Sequence, residues 1–147
     1  MPPDNSSRRT TSSLTFQLLM PVRRIFRAVV ATVVPEASNL EEPEWEELEQ
    51  LAGDALISRS VSERRQLRWF LRAIQWLPVV RWGRCFTALD SARRQRFLSY
   101  LQGHRILRIR AGFWGLRTLA LLGYYGRPQA SRAIGYTPDS RGWSARR

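Results

Sequence analysis

The side chains of this chain that could carry chemistry are few and far apart. Cys85 is the one cysteine and His104 the one histidine. A single thiol forms no internal disulfide, and a cysteine-based zinc site needs a second thiol or a histidine cluster beside it. With a single histidine, neither a histidine-bridged metal nor a Ser-His-Asp triad is expected. Both residues read as structural, since free cysteine is among the most buried residue types and a lone histidine between helices serves as a cap or a hydrogen-bonding group. The carboxylates are concentrated instead. Residues 41–54 hold seven acids and no base, on one exposed helix where ordinary pKa values are unsuited to general-acid work. There is no Gly-rich phosphate loop, no histidine- or carboxylate-rich ligand set and no carboxylate pair that the pattern assigns to a core. The expectation is a chain that is not an enzyme by itself, with no catalytic, metal or cofactor-binding residues.

What the sequence does supply is arginine and aromatic rings. All 24 basic residues are arginine, against 12 acids, so the net charge is +12. Guanidinium is planar, weakly hydrated and multidentate, which suits protein interfaces and phosphates better than ammonium does. The charge is unevenly laid out: residues 1–40 carry five arginines and two acids, and residues 55–147 carry nineteen arginines and three acids. An acidic arm is therefore joined to a basic body. For the acidic arm two readings stand, a solvated face or a docking surface for a basic partner or for the chain's own arginine-rich helices. Six Trp and four Tyr accompany the arginines, a combination enriched at protein interfaces. Basic charge with tryptophan also serves non-specific nucleic-acid binding or attachment to a membrane surface. Against specific nucleic-acid binding stand the spread of arginine over at least four helices, the missing lysine and the lack of a helix-turn-helix signature. The plain alternative throughout is that arginines solvate helix faces and tryptophans fill the core.

The elements that position these residues follow a helical period. From His104, the residues Ile106, Ile109, Phe113, Leu116, Leu119 or Ala120, and Tyr124 recur at spacings of three and four, on one stripe of a helix. Arg108, Arg110 and Arg117 lie off it. Gly123, followed by Gly126-Arg127-Pro128, predicts the stop, because Gly accepts a left-handed cap and Pro cannot continue the ladder. Earlier in the chain, Val22, Phe26, Val29 or Val30, and Val33 give a helix over residues 22–34 behind Pro21. Pro35 to Pro43 reads as a linker. Trp45, Leu48, Leu51 or Ala52, and Ala55 form the apolar stripe of the acidic helix. Ser60-Val-Ser-Glu63 reads as a cap, opening a helix to about Trp76 that Leu77-Pro78 breaks; in it Leu67, Phe70 or Leu71, and Ile74 face inward, and Arg64, Arg65, Arg68 and Arg72 mostly outward. Residues 79–86 then form one or two helical turns. Asp90 is placed as the N-cap of a basic helix with Phe97, Leu98 and Leu101, ending at Gly103.

Strand alternation is absent, so the fold class is all-α, a single compact bundle of about six helices. Residues 1–13 read as a disordered tail, residues 14–138 as the helical domain and residues 139–147 as a basic C-terminal tail. No stretch reaches the about 20 apolar residues that span a bilayer. Ser7-Arg8-Arg9 resembles a twin-arginine signal, but the apolar runs after it and after Arg23-Arg24 are short and end at Pro21 and Pro35. The expected location is cytoplasmic or peripheral to the inner membrane, with periplasmic export less favoured.

The C-terminal pattern carries a family resemblance. Gly112-Phe113, Leu116-Arg117, Leu119, Leu121 to Gly126, Pro128 and Ile134-Gly135-Tyr136, with Leu89, Arg93, Phe97, Leu98 and Leu101 upstream, resemble the subunit 3 family of gluconate 2-dehydrogenase. Arg24 to Glu36 is similar to that family's opening helix, which ends in a proline. The resemblance implies a non-catalytic accessory subunit that binds, stabilises or helps mature a large FAD-dependent oxidoreductase of the glucose-methanol-choline type, with a cytochrome subunit as a further partner. FAD would then belong to the partner and no cofactor to this chain. The residues expected to form or support the partner-facing region are Phe113, Trp114, Arg117, Tyr124, Tyr125, Arg127 and Tyr136, with core packing as the competing role for Phe113. The alternative function is a basic helical protein that binds nucleic acid or a membrane surface.

Overall fold

A computed structural model describes residues 19–133 together with Gln17 and Gly135. The tails expected at 1–13 and 139–147, and Tyr136, lie outside the described residues. Apolar residues at helical spacing build the six α-helices among them: α1 Arg23–Val33, α2 Glu42–Ile57, α3 Val61–Trp82, α4 Ser91–Gln102, α5 Leu107–Tyr125 and α6 Pro128–Ala133. The described residues contain no strand. Three 3-10 turns, at Met20–Val22, Pro35–Asn39 and Phe86–Ala88, are also found among the described residues, the second taking up most of the expected linker.

Helices α1 and α5 are central, each packing against several of the others. From α1 come Phe26, Val29 and Val30, all without accessible surface, and from α5 come Phe113, Leu116 and Ala120. Leu48 and Ala52 of α2, Leu71 and Ile74 of α3, and Phe97, Leu98 and Leu101 of α4 close the core around them. Each of these Val, Leu, Ile and Phe side chains contributes about 1.5–3 kcal/mol by leaving water. The inward stripe read for α5 holds from Ile109 to Tyr124, whereas Ile106 is exposed and precedes the helix.

Two helix ends differ from expectation. Helix α3 does not break at Leu77-Pro78 but runs through to Trp82, with Gly83 as a left-handed cap at φ 67°. Proline inside a helix forfeits one backbone bond and costs about 3 kcal/mol. Pro78, however, lies on the same side as Leu71 and Ile74 and is fully buried with them, and this core contact offsets the lost bond. The second difference is Gly123, which is not the end of α5. The helix continues to Tyr125, and its C-cap Gly126 has φ −71°, not a left-handed angle. Gly123 is instead a packing glycine: a Cβ there would stand 3.0 Å from both the Leu48 carbonyl oxygen and the Leu48 side chain.

Helix starts follow the sequence more closely. Ser60 accepts a bond from the Glu63 N–H at 3.2 Å while Glu63 accepts from the Ser60 N–H at 3.0 Å, a reciprocal cap that satisfies two otherwise orphan donors. Asp90 occupies the N-cap position of α4 without a side-chain capping bond; its carboxylate lies 3.6 Å from Arg93.

Candidate functional site

Seven acids within fourteen residues would repel one another on a free helix. In the fold, part of this charge is neutralised from within. Glu49 is buried, and its two oxygens accept from Arg23 Nε at 3.0 and 2.9 Å and from Arg27 Nε at 2.6 Å. Glu42 joins the cluster through Arg23 Nη2 at 2.9 Å and Arg27 Nη1 and Nη2 at 2.9 and 2.8 Å. Arg27 also lies over the Trp45 ring at 5.2 Å. These bonds to Glu42 and Glu49 raise the Arg27 pKa, and the same Arg27 bond holds Glu42 below its ordinary carboxylate value. Of the two readings of the acidic arm, the docking surface for the chain's own arginines therefore describes Glu42 and Glu49. The cluster clamps α2 onto α1 and leaves neither carboxylate free for acid–base work.

The seven residues singled out from the sequence separate by depth. Phe113 is 3 % exposed and belongs to the core. Arg127 is 2 % exposed, donates from Nε to the Tyr124 carbonyl at 3.2 Å and from Nη1 to Glu44 at 3.4 Å, and stacks on the Tyr124 ring at 4.9 Å. It ties the end of α5 to the first turn of α2 and presents no free guanidinium. Tyr124 is half-buried and meets Tyr125 edge to face at 5.0 Å. Trp114 and Tyr125 reach the surface, and the half-buried Arg117 holds its guanidinium 5.2 Å from the Trp114 ring.

None of these residues lines a groove that the sequence did not reveal. An open groove of about 850 Å³ runs between the C-terminal end of α2, the N-terminal half of α3 and the flank of α5. Leu67, Phe70, Leu119 and Leu122 supply its apolar lining, and Arg59, Glu63 and Arg108 its charged groups. The groove owes its depth to glycine. Gly112 touches the Phe70 ring so closely that a Cβ would sit at 3.2 Å, and Gly115 opens onto empty space. Leu122 and Trp114 are each nearly half exposed on α5. Glycines 112 and 115 were visible in the sequence, but only the approach of α3 gives them this meaning.

Three tryptophans also contradict the reading of tryptophan as core filler: Trp69, Trp76 and Trp114 are 64, 65 and 45 % exposed. Trp45 and Trp82 do pack against the core.

The two sequence-poor chemistries remain modest. His104 Nδ1 accepts from the Ile106 N–H at 3.1 Å just ahead of α5, and its ring meets Tyr100 edge to face at 5.2 Å. Cys85 is half-buried, 3.6 Å from the Thr87 hydroxyl, whose hydrogen bond lowers the thiol pKa. Among the described residues no three of His, Cys, Asp and Glu come together as a metal-ligand set, and no helix is long and apolar enough to cross a membrane. No family model matches the chain, and no curated protein or solved structure gives a significant match.

Proposed function

We propose that this chain is a non-catalytic accessory subunit that binds and stabilises a larger FAD-dependent alcohol or sugar dehydrogenase. The observation that carries the binding role is the groove between α3 and α5, lined by the apolar Leu67, Phe70, Leu119 and half-exposed Leu122 together with Arg59, Glu63 and Arg108. Apolar grooves that also present an aromatic ring and guanidinium groups take up partner side chains or a partner helix. The identity of the partner rests on the resemblance of Gly112 to Tyr136 to the subunit 3 family. On this reading the chain acts by mass action: it binds the folded large subunit and not the unfolded one, which raises the fraction folded. FAD and the redox chemistry reside in the partner, with a cytochrome subunit as electron acceptor.

Filling the groove tests the reading. Gly115 faces open space, so Gly115→Trp leaves the helix room to form while occupying the place of the partner. Co-expression of a flavoprotein large subunit of this type with the native chain should raise the yield of soluble, flavin-loaded enzyme, and Gly115→Trp or Leu122→Glu should remove that gain. An unchanged yield with both variants would overturn the reading.

A further inference from the structure

We propose that the outer face of α3 docks on an anionic lipid surface, with Trp69, Trp76 and Val80 entering the headgroup region and Arg65 and Arg72 meeting lipid phosphates. At roughly 100° per residue, Trp69, Trp76 and Val80 fall within about 40° of one another. They lie opposite Leu71, Ile74 and Pro78, the residues that α3 gives to the core. The helix is thus apolar on two faces, and only one of them is covered: Val80 is 91 % exposed, the highest value for a large hydrophobic among the described residues. Folding alone gives no reason for two tryptophans in water.

Charge decides what can cover this face. From Arg64 to Leu89 the chain has six arginines and no acid. Arg65, Arg72, Arg81 and Arg84 are exposed, and none of the four makes an ion pair among the described residues. Arg72 lies over the Trp69 ring at 5.8 Å, which sets a guanidinium beside an exposed indole. A second copy of the chain would bring the same arginines face to face, so self-association through this face is opposed. The apolar part is a ridge along about 16 Å of one helix, from a rise of 1.5 Å per residue, with a wide open depression beside Trp69 and Arg65. A ridge of indoles flanked by guanidinium groups matches a bilayer interface, where tryptophan sits at the headgroup level and arginine stems extend toward the phosphates. The groove and Trp114 take no part, so this inference stands apart from the dehydrogenase reading.

The test uses the full chain and phosphatidylcholine vesicles with or without admixed phosphatidylglycerol. The expected result is co-sedimentation with the phosphatidylglycerol vesicles alone, released by added salt, and quenching of tryptophan fluorescence by brominated acyl chains. The double variant Trp69→Ala, Trp76→Ala should weaken binding about tenfold and remove most of the quenching. Arg65→Gln and Arg72→Gln should each weaken it about fivefold. Trp114→Ala should bind as the native chain does. Circular dichroism of each variant checks that the helices are intact. Equal binding to neutral vesicles, or undiminished binding by the double tryptophan variant, would overturn the proposal. So would preferential capture of duplex DNA or an acidic protein by this face at the same salt. Failure to bind a flavoprotein would leave these outcomes unaffected.

Discussion

Arg27 and Glu49, 22 residues apart in sequence, meet at 2.6 Å between α1 and α2. Arg23 binds the same carboxylate, so one buried acid carries two guanidinium groups. The expected consequence is that Glu49→Gln destabilises the fold by about 2–3 kcal/mol. That is less than the cost of breaking a fully buried pair, because both arginines keep partial contact with water. Urea melts of the native and variant chains would measure it; a change below about 0.5 kcal/mol, typical of surface substitutions, would contradict the clamp.

The same cluster sets a pH dependence. Glu42 has its pKa lowered in the fold by the Arg27 hydrogen bond, so the folded state holds fewer protons than the unfolded one across that interval. The stabilisation is therefore complete above the ordinary carboxylate value of 4.5 and fades as the pH falls through the lower folded value. Thermal melts from neutral to acid pH should show Glu42→Gln losing stability relative to native above that value and converging with it in stronger acid. A constant difference at all pH values would contradict the assignment.

Glycines on α5 should respond with opposite signs. Gly115→Ala meets nothing within 4 Å and should stabilise by up to about 1 kcal/mol through helix propensity. Gly123→Ala drives a methyl group toward the Leu48 backbone at 3.0 Å and should destabilise by about 1–3 kcal/mol. Chemical denaturation of both variants checks the pair, and equal effects would contradict the described approach of α5 to α2.

Much of the bundle was legible because its stripes are local. Leu71 and Ile74, Phe113 and Leu116, and the Ser60–Glu63 cap all follow from spacing within one or two turns. What was missed depends on partners distant in sequence. Pro78 reads as a helix breaker until the core that buries it is present. The acidic arm keeps two readings from sequence, solvated face or docking surface, until Arg23 and Arg27 from another helix decide for the second at Glu42 and Glu49. Trp69 and Trp76 are the exception, because their phase against Leu71 and Ile74 is local and already sends both outward. The groove follows from where α3 stands beside Gly112 and Gly115, which no one-dimensional pattern contains. Of the residues named from the sequence, Trp114, Arg117 and Tyr125 lie at or near the surface, while Phe113 and Arg127 are buried.

Cys85 offers a local check on the loop before α4. The Thr87 hydroxyl lowers its pKa, so alkylation should begin at lower pH than for an ordinary thiol, since the thiolate is the reactive form. Thr87→Val should move the pH profile of alkylation upward, and an unmoved profile would contradict the contact.

The central claim is that this chain works by holding a flavin-carrying partner. Its most direct measurement is affinity purification of the tagged chain after co-expression with the large subunit, reading flavin absorbance and subunit ratio in the eluate. The account predicts a flavin-containing complex of fixed ratio with the native chain and with Trp69→Ala, and its loss with Gly115→Trp. Elution of the chain alone, without flavin, would contradict it.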